Sequence, residues 1–331
     1  DIFDAKDLLL DDIIYLDTDP EGGVIAGSNP GALLIAVYRY LRFCGCRWLF
    51  PGTDGEWVPV PAIIRKADGG FLYATTDLAT LDYRTENFKA DAIWYVVGAP
   101  QEKHFRQIFD IERMRGVSGD FRHVAFGSIL GKDRRPFKTR SGDTVSLQDV
   151  IDEAIERATK VVEEKSPDMP EDEKASVAKA VGVGAIKFAE LSQNRLSDYI
   201  FDWDKMLALT GDTAPYLQNS YVRVRSIFRK IDGEFTAPEK LTLSEPAELT
   251  LARLLVRYAE VVPATLDDCK PNLLAAYLYE LAKAFHSFYE ACPVLRSEGD
   301  TRATRLALCE LTSRVLKQGM GLFGITMPDR M

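Results

Sequence analysis

Gly131-Lys132-Asp133-Arg134-Arg135-Pro136-Phe137-Lys138-Thr139-Arg140-Ser141-Gly142 divides the sequence into two kinds of pattern. Five of these residues are basic against a single acid, glycines bracket the run and a proline sits inside it, which is the composition of a loop. Upstream, His123-Val124-Ala125-Phe126-Gly127-Ser128-Ile129-Leu130 is a short apolar run with strand character. Downstream, Ser146-Leu147-Gln148-Asp149 resembles a helix-opening capping box. A basic loop between a strand and a helix is well placed to close over a polyphosphate, because lysine and arginine can follow charge that moves during phosphoryl or nucleotidyl chemistry. On composition alone the alternative is a solvated basic turn.

On the N-terminal side of the loop, strand and helix patterns alternate. Ala62-Ile63-Ile64-Arg65 reads as strand, Asp68-Gly69-Gly70 as a turn, and Thr76 through Tyr83 as helix. Ile93-Trp94-Tyr95-Val96-Val97 reads as strand, Glu102 to about Met114 as helix, and the strand before the loop follows. This alternation predicts a largely parallel sheet flanked by helices. Ligands in such sheets sit at the carboxyl ends of strands, so the loops after Val97 and Leu130 are candidate site walls. Residues 12–57 form a further small α/β unit. Ile13-Ile14-Tyr15-Leu16 and Val24-Ile25-Ala26 are strand-like, and a helix opens at Asn29-Pro30, carries Leu33, Leu34, Val37, Tyr38 and Leu41, and ends at Gly45. The glycines between residues 21 and 29 fit neither GxGxxG nor GxxxxGK[ST], so they read as a hairpin or a strand-to-helix turn.

On the C-terminal side strand signals nearly vanish. Glu163 to Glu173 is a charged, proline-marked connector, and Ala214-Pro215 opens a helix bearing Tyr216, Leu217, Tyr221, Val224, Ile227 and Phe228. Leu274, Leu278, Leu281, Phe285, Phe288 and Cys292 make a helical apolar stripe that belongs in a core. A last helix, about Thr304 to Phe323, is stopped by Gly324-Ile325-Thr326-Met327-Pro328.

With 331 residues the chain accommodates two or three domains, and 46% apolar with 27% charged residues is ordinary for globular proteins. A net charge of −9 argues against indiscriminate coating of nucleic acid and leaves room for local basic patches. No apolar run approaches the ~20 residues needed to cross a bilayer, and Asp1-Ile2-Phe3-Asp4 carries no signal-peptide features, so a cytoplasmic protein without membrane association is expected. The opening aspartate suggests a missing or processed N-terminus. Five cysteines are scattered apart from Cys44 and Cys46, and no second pair or neighbouring histidine completes a zinc site; no disulfide and no structural metal are expected.

From about Val60 to Met331 the chain resembles the second half of a class I arginyl-tRNA synthetase. The resemblance is carried by Gly69-Gly70-Phe71-Leu72-Tyr73-Ala74-Thr75-Thr76-Asp77-Leu78-Ala79, the basic loop, Leu191-Ser192-Gln193-Asn194-Arg195, Ala214-Pro215-Tyr216-Leu217-Gln218, and the ending Gly321-Leu322-Phe323-Gly324-Ile325-Thr326-Met327-Pro328-Asp329-Arg330-Met331. It implies an α/β then all-α fold: a partial Rossmann-like class I catalytic domain with a C-terminal helical anticodon-binding bundle, preceded by a small α/β segment. It also implies arginine–tRNA ligase activity, with arginine, ATP accompanied by Mg2+, and an arginine-accepting tRNA as substrates; a monomer is expected.

Carried over residue by residue, the resemblance puts Lys138, Arg140 and Arg135 in the counterpart of the KMSKS loop, against the ATP phosphates, Arg135 standing where lysine is usual. Tyr73, Asp77 and Gln101 match residues lining the arginine pocket, Tyr73 and Asp77 being four apart on one face of a helix start. Read without the family, Asp77 is a helix cap or surface charge and Tyr73 a packed aromatic. His104 either faces this site or packs near the loop; His123 and His286 fit structural positions. Arg223, Arg225, Arg229 and Lys230 would meet tRNA phosphates, and Tyr216 or Gln218 would approach bases or the tRNA bend.

The chain has no HIGH-type sequence, its histidines being His104, His123 and His286. The resemblance therefore implies a truncated or chimeric ligase with impaired catalysis. Residues 12–58 are instead similar to the N-terminal accessory domain of α-glucuronidase-like carbohydrate enzymes, through Ala26-Gly27-Ser28-Asn29-Pro30, Ala36-Val37-Tyr38-Arg39-Tyr40-Leu41 and Gly45-Cys46-Arg47-Trp48-Leu49-Phe50-Pro51-Gly52. The domains expected are 1–58, of foreign type; 59–203, the rear of the catalytic domain with a helical connector; and 204–331, anticodon-binding. The rival readings are a tRNA-binding module without catalysis and a carbohydrate-active protein led by residues 1–58.

Overall fold

The computed structural model describes residues 14–19, 22–27, 47–49, 62–131, 146–231, 234–267 and 269–331. The basic loop with Arg135, Lys138 and Arg140, the helix expected from Asn29 to Gly45, and Cys44 and Cys46 lie outside the described residues. The chain divides into two units, Asp1–Ala125 and Phe126–Met331.

In the first unit, β1 (Ile14–Asp19) and β2 (Gly22–Gly27) pair as an antiparallel hairpin, with Asp19 opposite Gly22, so the first glycines of the sequence serve a hairpin. β3 (Arg47–Leu49) pairs antiparallel with β4 (Ala62–Arg65). Then follow α1 (Tyr73–Asn87), β5 (Ala92–Gly98), a 3-10 turn (Ala99–Gln101), α2 (Glu102–Met114) and β6 (Asp120–Phe126), which neighbours β5. The described strands pair two by two, not as one continuous sheet.

Helix α1 starts three residues before the expected Thr76. The Leu72 carbonyl accepts from the backbone N–H groups of Thr75 and Thr76, and the Thr75 hydroxyl donates to the Ile64 carbonyl of β4. The earlier start puts Tyr73 and Asp77 in the first turns. Ala74, Leu78 and Leu81 form the buried stripe of α1, against Phe105, Ile108 and Phe109 of α2. Gly116, at φ 79°, ends α2 in the left-handed region open to glycine, where Val117 N donates to the Glu112 carbonyl at 2.9 Å.

The second unit holds β7 (Ile129–Leu130), α3 (Leu147–Lys165), α4 (Glu171–Leu191), β8 (Tyr199–Ile200), α5 (Trp203–Met206), α6 (Ala214–Phe228), α7 (Pro246–Asp267), α8 (Pro271–Ala291) and α9 (Gly299–Leu322). The strand expected over residues 123–130 is broken at Gly127-Ser128. There the chain passes so near residues 197–198 that a Cβ on Gly127 would lie 2.6 Å from the Ser197 carbonyl oxygen, and Gly127 N donates to the Arg195 carbonyl at 2.7 Å. Beyond the break β7 pairs in parallel with β8, a late strand that the sequence pattern does not announce.

Ser146 caps α3 with the full reciprocal box, its hydroxyl accepting from Asp149 N while Asp149 accepts from Ser146 N. Helices α3 and α4 touch closely: a Cβ on Gly182 would sit 2.7 Å from the Ala154 carbonyl oxygen. The main core gathers Phe188, Leu217, Tyr221, Val224, Leu251, Leu278, Leu281, Phe285, Phe288, Leu316 and Met320, each side chain contributing about 1.5–3 kcal/mol by burial. The stripe read from Leu274 to Cys292 is part of it, Cys292 standing just past the end of α8. Helix α9 begins at Gly299, five residues before the expected Thr304, and Thr304 is buried inside it with its Oγ1 accepting from Thr242 N at 3.0 Å. No helix among the described residues is long and apolar enough to cross a membrane.

Candidate functional site

In the first unit the decisive group is the Asp77 carboxylate. It projects from the second turn of α1, and its Oδ2 lies 2.7 Å from His104 Nε2, in the first turn of α2. A carboxylate only accepts, so the bond fixes a proton on Nε2. His104 is itself buried, and its ring packs against Tyr73 at 4.6 Å and Phe105 at 5.1 Å between centroids. Tyr73 stays 68% exposed, one helical turn before Asp77, so the phenol forms a wall beside the carboxylate and is not a core aromatic. Asp77 Oδ1 accepts from no described residue, and a carboxylate offers about four acceptor sites.

A half-covered carboxylate with one oxygen pinned and an aromatic beside it suits a planar cation with several N–H donors. Gln101, exposed at the last position of the 3-10 turn, precedes His104 by three residues and so reaches the same end of α2. The sequence left His104 open between two roles, and the structure bonds it to Asp77. The available signal was its spacing from Gln101. His123 is structural as expected: its Nε2 lies 3.0 Å from the Val97 carbonyl and its ring stacks on Phe105 at 5.0 Å.

The other ends of α1 and α2 are joined by a charge network. Glu112 is fully buried, its Oε1 accepts from Arg115 Nη1 at 2.8 Å, and Arg115 Nη2 donates to Asp82 Oδ2 at 2.9 Å. Glu112 Oε2 has no hydrogen-bond partner among the described residues. Burial, and after it the negative charge of Asp82, outweigh Arg115 and raise the Glu112 carboxyl to about 7. A folded chain that keeps this proton while the unfolded chain loses it near 4.5 grows less stable as pH rises through about 7. Glu112→Gln keeps the shape and cannot ionise. It is expected to raise the melting temperature by about 3–6 °C near pH 8 and to change little near pH 5, in melts followed by circular dichroism.

In the second unit the candidate surface is one face of α6 with its neighbour α8. Thr213 caps α6, its Oγ1 accepting from Tyr216 N at 3.2 Å, and the buried stripe Leu217, Tyr221, Val224 and Ile227 leaves Tyr216 and Arg223 half-buried at the edge. Tyr216 stacks on His286 at 5.2 Å and lies 5.5 Å from the Tyr279 ring. The Arg223 guanidinium lies 5.7 Å from the Tyr289 ring centre and the Lys283 ammonium 5.6 Å from that of Tyr279. Rings interleaved with cations suit unpaired bases and phosphates.

Gln218 departs from its expected role. It is fully buried, with Nε2 donating to the Ala180 carbonyl at 3.1 Å and the Thr326 carbonyl at 2.8 Å, so it joins α4, α6 and the C-terminal segment and cannot approach a base. Its position on the inner stripe of α6, one residue past Leu217, was the overlooked signal. Arg225 faces Glu310 at 3.7 Å and Asp329 at 4.0 Å, and Arg229 Nη1 donates to the Asp329 carbonyl at 2.9 Å, so both also fasten the C-terminal segment. Lys230 is exposed at the helix end.

A family model described as tRNA synthetases class I (R), catalytic domain, matches residues 24–203, and one described as DALR anticodon binding domain matches residues 217–331. The first match includes part of the stretch 1–58 set apart on sequence grounds. Arginine–tRNA ligase of Laribacter hongkongensis is 50% identical over 285 residues, 85% of this chain and 49% of that protein. The ligase of Chromobacterium violaceum is 47% identical over 276 residues, covering 82% and 48%. The chain thus spans about half the length of the curated relatives it matches. Among solved structures, Plasmodium falciparum arginyl-tRNA synthetase superposes with a TM-score of 0.74 at 27% identity, over 91% of this chain and 53% of that one. The Thermus thermophilus enzyme gives 0.74 at 25%, over 89% and 58%.

Proposed function

Because the chain belongs to the class I arginyl-tRNA synthetase family, we propose that it serves arginine–tRNA ligation, contributing the guanidinium pocket and the tRNA-binding helices. The observation that carries this reading is the Asp77 carboxylate, pinned by His104 and walled by Tyr73. Arginine would lay its guanidinium on Asp77, with Gln101 beside it. Its carboxylate attacks the α-phosphate of ATP, giving arginyl-adenylate and pyrophosphate. A terminal ribose hydroxyl of the tRNA then takes the arginyl group and AMP leaves. Positioning and charge stabilisation do most of this work.

Lys138 and Arg140, with Arg135, are the groups we assign to the phosphates, and Mg2+ enters with ATP as part of the substrate. Tyr216, Arg223 and Lys230 are the tRNA contacts, with Arg225 and Arg229 supporting them while they hold the C-terminal segment. The protein works as a cytoplasmic monomer in this reading, with domains at 1–58, 59–203 and 204–331. Lacking an HIGH sequence, the chain by itself would catalyse poorly. ATP–pyrophosphate exchange, run with arginine and tRNA present, tests the proposal. Label incorporated only when arginine is added supports ligation; tRNA binding with no exchange supports a tRNA-binding module instead.

A further inference from the structure

The surroundings of His286 dictate its protonation state from two sides. Ser220 Oγ lies 2.8 Å from the Tyr216 carbonyl oxygen and 2.9 Å from His286 Nε2. A carbonyl only accepts, so the single Ser220 hydroxyl proton goes to it, and Oγ must accept from the imidazole: Nε2 carries hydrogen. On the other side of the ring, Arg223 Nη1 lies 3.2 Å from Nδ1. A guanidinium only donates, so Nδ1 is bare. Two independent neighbours therefore select the same neutral Nε2–H form. A proton on Nδ1 would set donor against donor and cation against cation. Burial, with Arg223 next, pushes the His286 pKa down from the usual histidine value, against a smaller upward pull from Glu290.

We infer that His286 is a positioning residue for RNA: its bare Nδ1 aims the Arg223 guanidinium outward at a phosphate while its ring backs Tyr216. One Arg223 N–H is spent on the imidazole, and four of the five remain for a phosphate. Ser220, fully buried on α6, sets the ring's rotation, so that Tyr216, His286 and Arg223 turn as one piece. The inference rests on the reading of α6 as a tRNA-contacting helix and adds to it a residue whose own side chain need not touch the RNA.

The test measures binding of an in vitro transcript of an arginine-accepting tRNA to the full chain across a series of salt concentrations. Arg223→Ala is expected to weaken binding about 5–10-fold and to lower the salt slope by about one. His286→Leu should do the same, and the double variant should bind no worse than Arg223→Ala alone. His286→Asn, which keeps an acceptor near Nδ1, should recover the slope, whereas His286→Gln, whose amide falls at the Nε2 position, should not. The Asn and Gln pair decides the matter even if the leucine variant melts early. Loss from His286→Leu that is as large without Arg223 as with it, or equal slopes for the Asn and Gln variants, would overturn the positioning role. An Arg223→Ala chain that binds like the parent would overturn the reading of α6 beneath it, and the inference with it.

Discussion

Asp77→Asn is expected to weaken arginine binding about a hundredfold or more, the largest functional effect of any single change in the first unit. Asparagine keeps the shape and loses both the charge and one acceptor. His104 Nε2–H will go on donating, and the only oxygen left to receive it is the amide Oδ1. The amide nitrogen is then turned toward the ligand, where its N–H groups meet the N–H groups of guanidinium. Two charge-assisted hydrogen bonds are lost together, at about 1.5–3 kcal/mol each. Isothermal titration with arginine and with citrulline, its uncharged analogue, reads this directly. The parent should favour arginine strongly, and the variant should bind the two about equally weakly. Undiminished arginine binding by the variant would remove Asp77 from the pocket and the main support for the proposed function.

The second large effect concerns stability. Glu248 is fully buried on α7; its Oε1 accepts from Arg305 Nε at 2.6 Å, and its Oε2 accepts from Ser244 N at 2.8 Å and Glu245 N at 3.1 Å. Arg305 of α9 in turn donates to Ser297 Oγ at 2.7 Å and the Pro293 carbonyl at 3.3 Å. One ion pair thus fastens the start of α7, the turn after α8 and the first part of α9. Glu248→Ala strands the guanidinium without a counter-charge and leaves the two backbone N–H groups unpaired. It is expected to cost about 3–5 kcal/mol and lower the melting temperature by about 10 °C or more. Replacing both partners by apolar residues, Glu248→Leu with Arg305→Met, should recover the part of the loss that comes from the stranded charge, while the Ser244 and Glu245 N–H groups stay unpaired. Burial raises the Glu248 carboxyl, but Arg305 and the two backbone donors outweigh it and hold it below the ordinary 4.5. The stability from this carboxylate is therefore complete above about pH 4.5 and lost as pH falls through its lower folded value. Melts of the alanine variant should lack that part of the acid sensitivity.

Local rules made most of the elements legible. The capping box at Ser146, the apolar stripe of α8 and the strand and helix at 93–97 and 102–114 follow from spacing and composition, and these stand within a residue or two. Misses occur where distant chain decides. Gly127 breaks its strand because residues 195–198 press on it, and β8 exists only because β7 lies alongside. Helix α7 carries few buried positions for its length and has Pro263 within it, so its stripe is faint in the sequence. The site shows the same division. Tyr73 and Asp77 can be placed on one face from their spacing, but their link to His104, 27 residues from Asp77, needs α1 and α2 folded together. Spacing on α6 could have turned Gln218 inward, but its partner, the Thr326 carbonyl 108 residues away, is visible only in the folded chain.

That seam has a consequence for biosynthesis. The ribosome makes residues 324–331 after every helix named above, yet they supply the Thr326 carbonyl to Gln218, the Asp329 carbonyl to Arg229 and the Gly324 carbonyl to Lys187. During translation α4 and α6 must therefore wait with these donors satisfied by water, and the bundle closes only when residues 324–331 clear the exit tunnel.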